Sequence, residues 1–174
     1  TRLQPIGRGV SLKSRLAATL GIAAIAFCAQ ASSAFATQYF VNGVPGLDTN
    51  DCLHATGVPP AGPCQTISQA LSNAQTNPGA DEVLVADGTY TQSLVVSDGT
   101  LLRALDATDP KPVINNGATV AAAVAIMGTG GTVQGFEIRS GHEPVLVNGP
   151  GAVTGNDFPT TTAPANNRDV AVLA

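Results

Sequence analysis

Residues 64–90 read CQTISQALSNAQTNPGADEVLVADGTY, and the rest of the chain is organised around them. Thr66-Ile67-Ser68-Gln69 fits a capping box, in which Thr66 takes the third helical amide and Gln69 reaches back. Ile67, Ala70, Leu71 and Ala74 follow at i, i+3, i+4 and i+7, which predicts one apolar stripe on a short helix. Asn77-Pro78-Gly79 stops it, since proline cannot continue a helix and glycine allows the exit turn. Val83-Leu84-Val85-Ala86 is apolar on both faces and predicts a strand covered on both sides. Asp87-Gly88 is a turn. A helix this short is marginal alone. It needs an apolar surface to lie on, and the open end of a stack of strands offers one.

Beyond this stretch the pattern is strands between glycine and aspartate turns. The predicted strands are SLVVS (93–97), TLLRAL (100–105), Val113-Ile114, AAAVAIM (121–127), TVQGFEI (132–138), residues 145–147, AVTGNDF (152–158) and DVAVL (169–173). Spans of this length with such turns are all-β. The segments also repeat. Val133, Gly135 and Ile138 match Val153, Gly155 and Phe158 at a shift of 20 residues. Val124 and Ile126 match Val145 and Val147 at a shift of 21, and Leu102-Arg103-Ala104 is an earlier copy displaced by 31. A period of this size predicts a solenoid in which each repeat buries its apolar residues on its neighbours. Alternation puts Phe136 and Ile138 inside, Glu137 and Arg139 outside.

Working back toward the N-terminus, QYFV (38–41) predicts another strand, and residues 42–63 a loop. Cys52 and Cys64 lie in and beside that loop. In an exported chain an isolated pair at this spacing predicts a disulfide. Two free thiols are the alternative. A zinc site with His54 would need further ligands. Asp48-Thr49-Asn50-Asp51 has the opening spacing of a calcium loop, Asp-x-Asn, but lacks the central glycine and distal glutamate of an EF-hand. An Asx-turn loop is the preferred reading.

Export is predicted by residues 1–36. Arg2, Arg8, Lys13 and Arg15 precede an apolar run of 14 residues (16–29), followed by Ala34-Phe35-Ala36. That is a signal peptide in order: basic region, apolar region, small-x-small cleavage pattern. The run is short for a membrane span, which needs about 20 residues. Cys28 would be removed with it. The expected organisation is residues 1–36 as signal peptide, 37–79 as an N-terminal cap of strand, disulfide loop and helix, and 80–174 as solenoid coils, truncated at the C-terminus. The mature chain would be secreted or held at the cell surface, with no membrane contact after cleavage. It would carry four basic and twelve acidic residues, a formal charge of −8 against −4 for the whole chain. Such acidity opposes nucleic-acid binding, which needs a basic footprint. The chain begins with Thr1 and ends inside a strand pattern, so a longer protein is expected.

The combination FVNGVPGLDTNDC, PCQTISQALSNAQ, DEVLVADGTY, TLLRAL, TVQGFEIRSG and VTGNDF resembles secreted right-handed parallel β-helix proteins of the pectin-lyase-like superfamily. The resemblance covers residues 38 to about 158. It implies an all-β, right-handed parallel β-helix with one short N-terminal capping α-helix. Members include pectate and pectin lyases, polygalacturonases, tailspikes and surface proteins without a known reaction, so fold does not settle function. Calcium-dependent lyases among them use clustered carboxylates for the metal and a nearby arginine or lysine as base. The hydrolases use aspartates on adjacent coils.

No such group appears here as a run, and no catalytic residue or resident cofactor is assigned. The densest charged patch is Glu137-Ile138-Arg139-Ser140-Gly141-His142-Glu143, with Asp157 one repeat along beside Glu137. Glu137, Arg139, His142, Glu143 and Asp157 form the candidate surface site. They could grip sugar carboxylates or hydroxyls, Arg139 could serve as base, and the stacked carboxylates could hold calcium. A solvated ion pair on the outer face is the simpler reading. Asn156 is expected to stack structurally at a coil corner. The chain has no tryptophan and only seven aromatic residues, which weakens a sugar-stacking platform. Two functions follow. One is an extracellular scaffold, binding glycan or calcium. The other is the N-terminal part of a polysaccharide lyase or hydrolase whose active site lies beyond residue 174.

Overall fold

The structure is a computed structural model that describes residues 36–77, 79–106, 108, 110–117, 121–140, 143–159 and 170–172. The expected signal peptide therefore lies almost wholly outside the described residues. No helix among the described residues is long and apolar enough to cross a membrane.

The helix predicted from the apolar stripe is α1, Ile67–Thr76, and its buried residues are Ile67, Ala70, Leu71 and Ala74. Thr66 caps it by accepting from the Gln69 N–H at 3.2 Å. The reciprocal half of the box differs from expectation. The Gln69 side chain bonds Asn73 instead, because Asp48 already occupies the Thr66 N–H at 2.8 Å. The buried stripe packs on β1 (Gln38–Val41), β2 (Glu82–Val85) and β4 (Leu94–Val96). Leu84 is as buried as its neighbours in β2, so that strand is covered on both faces as its composition predicts.

The remaining strands are β3 (Thr89–Tyr90), β5 (Thr100–Ala104), β6 (Val113–Asn115), β7 (Val124–Met127), β8 (Gly131–Gln134), β9 (Glu137–Arg139), β10 (Val145–Asn148), β11 (Gly151–Thr154) and β12 (Val170–Val172). They form three sheets ordered β1-β2-β5-β8-β11, β12-β10-β7-β4 and β3-β6-β9. Each strand pairing is parallel. The fold is thus mostly β, built from parallel sheets with one short helix. From β2 onward the chain visits the three sheets in rotation: β2, β3, β4, then β5, β6, β7, then β8, β9, β10.

Register follows the repeat shifts. Val133 pairs with Val153, Val124 with Val145, and Leu102 with Val133. The apolar residues thereby stack in columns: Tyr39, Val83, Leu102 and Val133 in one sheet, Val96, Ile126 and Val147 in the second, Tyr90, Ile114 and Ile138 in the third. All belong to one core cluster. Second buried columns run through Val41, Val85 and Ala104 and through Leu94, Val124 and Val145, while each parallel strand takes its ladder hydrogen bonds from the strands beside it.

Two of the expected strands need correction. TVQGFEI is not a single strand but two, β8 and β9, in different sheets. Gly135 has φ +84°, a left-handed conformation that glycine adopts without penalty, and it turns the chain from one sheet into the next. Gly155, at φ +63°, divides AVTGNDF in the same way, leaving β11 and an isolated bridge at Asp157.

The disulfide between Cys52 and Cys64 is formed, with a Cα–Cα separation of 4.8 Å. The loop around it is organised by carboxylates. Asp48 accepts from the backbone N–H groups of Gln65 and Thr66 at 3.0 and 2.8 Å and from the Thr66 hydroxyl at 2.9 Å. Asp51 accepts from the N–H groups of Leu53 and Gly62. The first of these bonds is the main reason its carboxyl lies below the ordinary value. Asn50 donates to the Pro63 carbonyl at 2.8 Å. Only the Asp51–Leu53 bond is the expected Asx turn; the others reach across 11 to 18 residues and brace the loop. Asp48→Ala removes a brace shared by loop and helix, and is expected to cost about 1.5 kcal/mol in thermal unfolding. Asp48→Asn keeps one acceptor and should cost less.

Candidate polysaccharide-binding surface

β9 builds the centre of the site. Phe136 and Ile138 are buried, while Glu137 is half-buried and Arg139 exposed, so the alternation predicted for this segment holds. Glu137 accepts from the Arg139 guanidinium two residues along the same strand face. That hydrogen bond, and then the carboxylate charge, raise the Arg139 pKa above its ordinary value. A guanidinium held this way keeps its proton, which works against a role for Arg139 as base.

Asp157 lies beside Glu137 through a parallel bridge. Its backbone accepts from Ile138 N–H at 2.8 Å and donates to the Phe136 carbonyl at 2.7 Å. Its side chain is 64% exposed and meets Lys111 Nζ at 2.8 Å. Lys111 also donates to the Gly155 carbonyl at 3.1 Å. Residue-by-residue reading of the sequence missed this lysine, which reaches the site from the polar loop before β6. Asn115, in register with Arg139, completes the row. Beside it, Glu137, Asn156, Asp157, Phe158 and Pro159 line an open depression of about 600 Å³.

The other expected members fall elsewhere. Glu143 precedes β10, and its carbonyl accepts from Ala123 N–H in the four-stranded sheet. Among the described residues no ion pair joins it to Lys111 or Arg139, the two cations of the site. His142 lies outside the described residues. Asn156 takes the Phe136 N–H at 2.8 Å and donates to the Val133 carbonyl at 2.9 Å. It is a corner brace, in keeping with the structural role expected of it. Among the described residues, no group of three or more His, Cys, Asp and Glu side chains gathers as a metal site would require.

A second charged cluster went unread in the sequence. On the outer face of the five-stranded sheet Glu82 binds the Arg103 guanidinium and accepts from Gln38 Nε2 at 2.6 Å. Arg103, Ala104, Gln134 and Gly135 line a smaller, more enclosed depression of about 290 Å³ beside it. Burial alone would raise the Glu82 carboxyl, but the Arg103 and Gln38 hydrogen bonds and the Arg103 charge outweigh it, so its pKa lies below the usual range. The stabilisation this gives is complete above about pH 4.3, the ordinary value, and is lost as pH falls through the lower folded-state value. Glu82→Gln is therefore expected to flatten the acid limb of the stability curve, which urea midpoints from about pH 6 to about pH 3 would show.

No protein-family model matches the chain, and comparisons with curated proteins and with solved structures find no match.

Proposed function

We propose that the chain is a right-handed parallel β-helix of the pectin-lyase-like kind, exported and closed at its first coil by α1. It serves as an extracellular scaffold that holds polysaccharide on the outer face of the β3-β6-β9 sheet. The rotation of successive strands through three parallel sheets supports the β-helix. One observation carries the function. Strands β6 and β9, the bridge at Asp157 and the loop before β6 bring Asn115, Glu137, Arg139, Asp157 and Lys111 together next to an open depression. Strands repeat at about 4.8 Å, so the row presents donors and acceptors at a regular spacing. Its two cations offset its two carboxylates, so an acidic polymer meets no local repulsion there. Calcium would enter as a bridge between Glu137 or Asp157 and carboxylates of the polymer.

The test is binding of the exported full chain to uronate polymers and to neutral glucans, with and without calcium. Lys111→Ala with Arg139→Ala should weaken binding about tenfold, with only a modest fall in unfolding temperature, because partly exposed ion pairs stabilise little. Binding to none of these polymers would sink the proposal. Release of unsaturated or reducing ends would favour the lyase or hydrolase reading.

A further inference from the structure

A buried carboxylate lies beneath the first described residues. Asp81 is 1% exposed, and none of the ion pairs among the described residues includes it. Its Oδ1 accepts from the backbone N–H of Thr37 at 2.9 Å, and its Oδ2 from Asn77 Nδ2 at 3.3 Å. Asn77 Nδ2 also donates to Thr37 Oγ1 at 2.9 Å, and the Thr37 carbonyl accepts from Glu82 N–H at 2.9 Å. Thr37 is thus fixed over the carboxylate by bonds other than that of its own nitrogen. Two neutral amides compensate a buried charge poorly. The other charges and titratable groups around this point supply no cation to Asp81. Asp51 lines the same depression as Thr37 and Asn77. Its carboxylate accepts from the Leu53 and Gly62 N–H groups and lies 3.7 Å from His54. The Glu82 side chain is turned to Arg103 and Gln38. Tyr39 has its hydroxyl pKa raised by burial and then by the Asp81 charge. The residue before Thr37 is Ala36, which is exposed and ends the Ala34-Phe35-Ala36 pattern.

We propose that the chain is cut between Ala36 and Thr37, and that the α-ammonium created on Thr37 is the cation for which Asp81 is placed. This rests on the exported reading above. The cut is hydrolysis by a processing endopeptidase of the export route. Water adds across the Ala36–Thr37 peptide bond, its oxygen going to the Ala36 carbonyl carbon. Ala36 leaves as a carboxylate, and both water protons end on the Thr37 nitrogen, giving an ammonium with no change in net charge. A neutral donor 2.9 Å from a buried carboxylate becomes a charged one in the same place, so the domain reaches its full stability only after processing. Pairing of this kind raises an amine above its ordinary 7.7–8.0. Its stabilisation is complete below about pH 8 and is lost as pH rises through the raised value.

The test begins with export of the full chain with its own leader, and the mass of the product. The Thr37 amine is then titrated by NMR in the folded wild type, in the urea-unfolded wild type and in Asp81→Asn. A product starting at Thr37 is expected, with its amine at least about one unit higher folded than unfolded, and at the ordinary value in Asp81→Asn. Should Asp81→Asn fail to fold, the folded and unfolded wild type decide alone. A product starting at Thr37 whose amine titrates normally overturns the ion pair and leaves export standing. A product starting elsewhere, or a chain retained uncut, overturns the processing site and counts against export as well.

Discussion

Truncating Phe136 to alanine is expected to lower the unfolding free energy by about 4 kcal/mol. Phe136 is among the largest fully buried side chains, at 0% exposure. It sits at the corner between β8 and β9, where the chain leaves one sheet for the next. The ring is held from both sides of the backbone, since its N–H is bonded to Asn156 and its carbonyl accepts from Asp157. The corner therefore has little freedom to collapse onto the space the ring vacates, and the cost should fall in the upper part of the range for such truncations. Typical domain stabilities are about 5–15 kcal/mol, so the variant would sit near the edge of folding. Phe136→Leu keeps most of the volume and should cost about 1.5 kcal/mol. Urea midpoints with an unchanged slope would measure both. A loss below about 1 kcal/mol for the alanine variant would show that this corner is not close-packed. In the solenoid proposed above, which nearest-neighbour contacts would hold, the damage should also be local. The Ile138 amide, bonded to the Asp157 carbonyl, should exchange faster, while amides in β2 and β5 hold.

Much of this architecture is legible in the sequence because its rules are local or periodic. The stripe Ile67, Ala70, Leu71, Ala74 has helical spacing and nothing competes with it. The pairing of Leu102 with Val133 and of Val133 with Val153 follows from comparing the chain with itself, since in a parallel stack the repeat shift is the register. The strand breaks are less visible. Glycine is tolerated inside a strand, so Gly135 and Gly155 do not announce a corner until their φ values are known. Partners drawn from irregular segments are least visible. Lys111 belongs to a segment without period, and nothing in the repeat shift brings it to Asp157. Asp48 offers the first ligand of a calcium-loop spacing, yet it spends its lone pairs on amides 17 and 18 residues away. The candidate site was thus half readable. Glu137, Arg139 and Asp157 come together through register alone, whereas Lys111 and the Glu82–Arg103 cluster depend on packing.

The Cys52–Cys64 bridge is the second place where a large effect is expected, and its position explains why. Both cysteines are fully buried, and their backbones frame β1 on the side away from β2. Phe40 N–H donates to the Cys52 carbonyl, Cys64 N–H to the Phe40 carbonyl, and Asn42 N–H to the Cys64 carbonyl. Asn73 of α1 adds a bond to Cys52 Sγ at 3.1 Å. The bridge thus joins the loop, the first strand and the helix, whose stripe cannot stand alone. Linking residues 12 apart removes loop-closure entropy from the unfolded chain worth about 3 kcal/mol. Replacing both cysteines by alanine should therefore cost about 3 kcal/mol, with a further contribution from the buried volume lost. For a domain of this size that corresponds to a fall of about 10 °C in unfolding temperature. The loss should appear first at the helix end of the molecule. Exchange at α1 and β1 should rise well before exchange at β7 and β10. A uniform loss along the stack would mean that all the sheets unfold as one unit, and would remove the special role assigned here to the disulfide loop. Reductant without denaturant should leave the native protein unchanged, because both sulfurs are shielded from solvent; only chain that has opened would be reduced.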